Sequence, residues 1–174
     1  MARPLESALV LVLGDASAFD AIRREFAQGA VARGIPFHIT LLYPFAPVDE
    51  LTDSLLEDAR AFFAERRPFE FALTRVAAWP RVVYAVPEPD GELRGCMRAL
   101  HARFPAWPPY GGLHADVVPH ATLGEDIDAA RVVPEVKRRL AAHLPRRYIA
   151  EAATLLQERA PDEWRTRERF RFGG

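Results

Sequence analysis

Phe37-His38-Ile39-Thr40-Leu41-Leu42-Tyr43-Pro44-Phe45 is the stretch on which the reading of this chain turns. Pro119-His120-Ala121-Thr122-Leu123-Gly124 answers it in the second half. Each has the length and β-branched content of a short strand bounded by proline or glycine. Successive side chains of a strand point to opposite faces. His38 and Thr40 therefore share one face, with Ile39 and Leu41 on the other. His120 and Thr122 share a face in the same way, backed by Ala121 and Leu123.

Working outward, strands and helices alternate. Residues 8–14 form an apolar run that reads as a buried strand, too short and too closely flanked by Glu6 and Asp15 for a leader segment. Residues 19–32 carry helical spacing (Phe19, Ile22, Phe26, Ala30), with Ser17 as cap and Gly34 as stop. A second helix is expected over 49–65, a half-buried strand around Phe69, Phe71 and Leu73, and a short strand over 82–86. The second half repeats the order: a helix over 92–104, a Pro/Gly/aromatic loop over 105–113, and the second motif. A helix over 128–144, broken near its start by Pro134, and strands over 151–158 and 164–172 follow. Leu73 stands as far beyond His38 as Leu155 stands beyond His120. The pattern predicts one domain, 1–174, with pseudo-repeat halves at about 1–78 and 79–174. Elements related by a pseudo-twofold axis can bring equivalent residues to one place.

The 174 residues are 49% hydrophobic, enough for one core. A formal net charge of −1 excludes a binder that works by broad phosphate neutralisation. Any nucleic acid must be recognised locally. The single cysteine, Cys96, permits no internal disulfide and reads as a buried thiol on a helix face. No segment has the length of a membrane span. The expectation is a soluble, cytoplasmic monomer with no membrane partner.

Two imidazole–hydroxyl pairs suit one chemistry. Histidine titrates near neutrality, so one copy can accept a proton while the other donates one. That is general acid–base catalysis of a displacement. Thr40 and Thr122 can donate hydrogen bonds to phosphoryl oxygens. Neither step calls for a metal or another cofactor.

With these residues in view, the chain resembles the 2H phosphoesterases, in particular the 2′-5′ RNA ligase and cyclic phosphodiesterase group. The resemblance rests on residues 37–45, and on Tyr110-Gly111-Gly112 leading into Val118-Pro119-His120-Ala121-Thr122-Leu123-Gly124. It implies an α+β, bilobal fold. Two pseudo-symmetric lobes, each with an antiparallel-type sheet and helices outside, flank a cleft. It implies metal-independent hydrolysis, or reversible ligation, at 2′,3′-cyclic phosphates or 2′-5′ phosphodiesters. The substrate would be an RNA end or a small cyclic nucleotide. His38 and His120 would be catalytic, and Thr40 and Thr122 would hold the phosphate.

Tyr43 and Tyr110 flank the motifs and are the first candidates to stack on a base. Phe45, Trp79, Tyr84 and Trp107 are weaker ones, since large aromatics more often pack in cores. Two other readings stand beside this one. His114, Asp116 and His120 could ligate a metal in a metal-dependent phosphohydrolase. The cleft could also serve a non-catalytic nucleotide- or RNA-binding module. His101 is expected to face water, and the run Lys137-Arg138-Arg139 to be a solvated face.

Overall fold

The first apolar run forms β1 (Ser7–Val12) in the computed structural model, which describes residues 3–113 and 116–174. Leu9 and Leu11 enter the main core, while Ala8 and Val10 pack on the opposite face with Leu156, Tyr43 and Trp164. Burial on both faces explains why the run is continuously apolar.

The helix expected over 19–32 is two helices, α1 (Ser17–Phe26) and α2 (Gln28–Ala32). The chain leaves helical geometry at Ala27, where Phe26 packs on Gly124 so closely that a Cβ there would meet the Phe26 Cβ at 3.0 Å. Ser17 is the first helical residue rather than the cap. Gly34 ends α2 at φ 79°, a conformation that favours glycine.

The first motif is β2 (His38–Leu42). Helix α3 (Asp53–Ala64) starts later than expected, because Thr52 caps it by accepting from the Leu55 N–H at 3.2 Å. Strands β3 (Phe69–Trp79) and β4 (Val82–Glu88) form a hairpin, followed by α4 (Gly91–Arg103). The second motif leads into β5 (Ala121–Glu125), with His120 immediately before it. Helix α5 (Ala129–Leu140) runs through Pro134 rather than breaking there, at the cost of one backbone hydrogen bond. Strands β6 (Arg146–Ala150), β7 (Ala152–Ala160) and β8 (Glu163–Arg171) complete the chain. Strand β6 lies outside the elements expected from the sequence.

Among the described residues eight strands join in one sheet, ordered β6-β3-β4-β5-β2-β1-β7-β8, with antiparallel pairings throughout. It has two four-stranded lobes, with β5 and β2 side by side at the centre. The lobes do not coincide with residues 1–78 and 79–174. Strand β3 ends the first half of the chain but pairs with β4, and β7, from the second half, pairs with β1. The first half gives β3 to the other lobe, and the second gives β7 and β8. The physical reason is the tight β3–β4 turn, which a cut at residue 78 would sever. Helices cross too: α1 packs on β5 and α4 packs on β2.

Helix α3 is fastened to β8 by aromatic packing. Phe63 is fully buried and stacks on Phe170 and Phe172, each at 5.7 Å between ring centroids. Phe63→Ala is expected to lower unfolding stability by about 3–5 kcal/mol in urea titrations. A loss below about 1 kcal/mol would contradict this packing.

Candidate active site

The motif strands touch through one register pair, Ile39 with Ala121, both fully buried. Antiparallel register carried one residue either way sets His38 toward Thr122 and Thr40 toward His120. Since Ile39 and Ala121 point into the core, all four polar side chains lie on the other face. There they line one cleft of about 230 Å³, together with Tyr43 and Tyr110.

Both histidines are oriented by the same local device. The His38 Nδ1 lies 2.7 Å from the Pro36 carbonyl, and the His120 Nδ1 lies 2.8 Å from the Val118 carbonyl. A carbonyl only accepts, so each Nδ1 carries the proton and each neutral ring presents an unprotonated Nε2. At His38 that nitrogen lies 3.2 Å from the Thr40 Oγ1, so the hydroxyl is the donor. Burial pushes His38 down to about 4, opposed by its bond to Pro36 and assisted by the nearby charges of Arg23 and His120. Burial also lowers His120. Both imidazoles are therefore neutral at pH 7.

The aromatics divide. The Tyr43 hydroxyl donates to Glu6 Oε2 at 2.6 Å, and its ring meets Tyr110 edge-on at 6.1 Å and Trp164 at 6.3 Å. Tyr110 sits in left-handed geometry (φ 50°), its N–H donating to the Tyr43 carbonyl at 2.7 Å. Phe45 is core, packed edge-on against Phe104 and Trp107. Trp79 and Tyr84 lie beside His120, their ring centroids 4.9 and 5.6 Å from the imidazole. His101 is half-buried rather than facing water, with Nε2 3.4 Å from the Leu41 carbonyl.

Of the alternative metal set, His114 lies outside the described residues. Asp116 is exposed and turned to Arg94 at 3.3 Å. Among the described residues no group of three His, Cys, Asp or Glu side chains could hold a metal ion. Cys96 is buried, its thiol pushed up to about 11 by desolvation. No helix of the described residues is long and apolar enough to cross a membrane.

Several cleft residues gave no signal in the sequence. Arg23, Arg33, Glu125, Leu156 and Trp164 line it from α1, the α2 end, β5, β7 and β8. Arg23 is buried, bonded to Asp20 at 2.8 Å and to the Ile35 carbonyl at 2.6 Å. It thus braces the segment whose next carbonyl, that of Pro36, orients His38. Arg33 reaches Glu125 at 3.3 Å. The Trp164 N–H donates to the Arg33 carbonyl at 2.8 Å, which ties β8 to the cleft wall. Only folding brings these elements together.

This fold and site define the two-histidine phosphoesterase class. The chain belongs to the 2′-5′ RNA ligase superfamily, whose family model matches residues 13–162. It is 26% identical over 143 residues to a Geobacillus kaustophilus protein named as a phosphoesterase, covering 80% of each chain. Solved structures share the fold. The Thermus thermophilus protein TT0787 matches with TM-score 0.64 and 21% identity, over 97% of this chain and 98% of that one. Escherichia coli LigT, solved with NADP+ and with 3′-AMP, matches with TM-score 0.58 and 18% identity, over 99% of this chain and 100% of that one.

The buried imidazole has a consequence for stability. His38 titrates lower folded than unfolded, so the unfolded chain binds more protons between about pH 4 and 6.5. Its contribution is complete above pH 6.5 and is lost as pH falls through that window. Glu158, held at about 2 by Arg3, contributes its full stability above the ordinary carboxylate value of 4.5 and loses it only as pH falls below that, so it adds no slope in this window. The unfolding free energy of wild type should therefore rise between pH 4.5 and 6.5. In His38→Gln the slope should be smaller by up to about one bound proton. Denaturant midpoints across that range give the comparison, and equal slopes would contradict the burial of His38.

Proposed function

We propose that this chain is a metal-independent phosphoesterase acting on a 2′,3′-cyclic phosphate or a 2′-5′ phosphodiester of RNA or nucleotides. His38 and His120 serve as the acid–base pair. The observation that carries the reading is the matched anchoring of the two imidazoles. Each is held by Nδ1 to a carbonyl two residues back, which leaves its Nε2 unprotonated, and both line one cleft with Thr40 and Thr122. Family membership supports the phosphoesterase class, and the 3′-AMP in the LigT structure fits a nucleotide-sized ligand.

In hydrolysis, the neutral histidine takes a proton from water as its oxygen bonds to phosphorus. The protonated histidine gives its proton to the departing ribose oxygen as that P–O bond breaks. Thr40 and Thr122 donate to the non-bridging oxygens, where charge is held throughout. In ligation a ribose hydroxyl replaces water: its oxygen bonds to the phosphorus of a 2′,3′-cyclic phosphate and gives its proton to one histidine. A ring P–O bond breaks, and the freed ribose oxygen takes a proton from the other histidine. The strained ring drives the exchange, so this ligation needs no ATP. One imidazole must gain a proton as substrate binds, and the phosphate's negative charge favours this. Both histidines come from one chain, so the reaction needs no second copy. Tyr43 and Tyr110 hold the apolar part of the substrate, and the buried Cys96 fits a reducing, cytoplasmic setting.

Turnover of a 2′,3′-cyclic nucleotide or a 2′-5′ dinucleotide should persist in EDTA. His38→Ala and His120→Ala should each lower it by about 10²–10⁴-fold while leaving the fold intact by circular dichroism. Since both histidines are depressed when free, kcat/KM should peak below pH 6.5 and fall as pH rises through neutrality. Loss of activity in EDTA with recovery on a divalent ion, or full activity in either variant, would overturn the proposal.

A further inference from the structure

The two motif threonines sit in equivalent places but have unlike neighbours. Thr40 faces Val10 across β1, and Thr122 faces Tyr84 across β4. On the His38 side the small residues Ala8 and Val10 leave a hollow closed by Tyr43, Leu156 and Trp164. On the His120 side the same position is filled by Tyr84, which is nearly buried at 8% exposure. Trp79 stacks on it with ring centroids 4.2 Å apart and planes 30° apart. Trp79 is 37% exposed, unusual for so large a ring. It borders a second cavity of about 420 Å³ whose wall includes Tyr110 and His120, both shared with the catalytic cleft. His120 thus stands on the boundary between two cavities.

In-line displacement at phosphorus places the entering and leaving oxygens on opposite sides. When both oxygens belong to ribose, as in exchange between a 2′-5′ linkage and a 2′,3′-cyclic phosphate plus a free hydroxyl, the groups they carry extend in opposite directions, one into the hollow and one into the cavity beside Trp79. The geometry points to Trp79 as a stacking platform for a second nucleobase, so that the substrate is a phosphodiester with a nucleoside on each side. This rests on the phosphoesterase reading above and adds the class of substrate. The first nucleoside enters the hollow, and the second lies in the open cavity with its base on the indole. Its oxygen on phosphorus is the one that exchanges a proton with His120. Stacking on an indole tolerates any base, so the platform selects for the presence of a second nucleoside and not for its identity.

The test compares wild type, Trp79→Ala and Trp79→Phe on a 2′-5′-linked dinucleoside monophosphate and on a 2′,3′-cyclic mononucleotide, which has no second nucleoside. In Trp79→Ala the ratio of kcat/KM for the dinucleotide to that for the cyclic nucleotide should fall about ten-fold. Trp79→Phe, which keeps a ring, should hold that ratio within about three-fold of wild type. Equal losses on both substrates would mean that Trp79 acts only through its contact with His120, and would overturn the platform, as would no loss on either. If wild type turns over neither substrate, the catalytic reading fails, and calorimetric binding decides the platform separately. A dinucleotide Kd raised about ten-fold in Trp79→Ala, with 3′-AMP affected less, upholds it; equal changes overturn it.

Discussion

Among the described residues Ile39 and Ala121 are the one pair through which the two halves of the sheet meet in register. Both are fully buried, so the contact is desolvated and its side is fixed. In a strand the neighbours of a core-facing residue must face the other way. Burying these two residues therefore places His38, Thr40, His120 and Thr122 on one surface together. A slip of one residue in either strand would send the imidazoles inward and the aliphatic side chains into the cleft. The brevity of the contact matters as well: two strands that pair only once leave room between lobes for the cleft.

The seam is braced by elements exchanged between the two halves of the chain. Strand β3 follows the first motif in sequence but joins the second motif's lobe, and β7 does the reverse. Helix α1 packs on β5 and α4 on β2. Each lobe therefore depends on chain from both repeats, which couples the two motifs mechanically. The cleft walls follow the same rule: Arg23 comes from α1, and Trp164 from near the end of the chain.

Within this near-symmetry the two ends of the cleft differ. The His38 end has a buried arginine bracing the segment before the motif and small aliphatic side chains beside Thr40. The His120 end has stacked aromatic rings beside Thr122. The imidazoles share an anchoring device and a tautomer, and both are kept neutral by burial. A nearly symmetric pair of imidazoles thereby sits in a cleft with two unlike sides.

The sequence by itself determined the elements that local rules govern. The alternation of His38-Ile39-Thr40-Leu41 and of His120-Ala121-Thr122-Leu123 settled which residues share a face, because strand geometry has a period of two. Helical spacing located α3 and α4, and Gly34 marked a true stop. Even the matching position of Leu73 and Leu155 survived, since both lie on the third strand from the seam. Only the tertiary structure decided which strand pairs with which. The exchange of β3 and β7, the extra edge strand β6, and the gathering of Arg23, Arg33, Glu125 and Trp164 around the motifs all depend on packing between residues far apart in the chain. Periodicity reports which side of an element is buried; it carries no information about what that side is buried against.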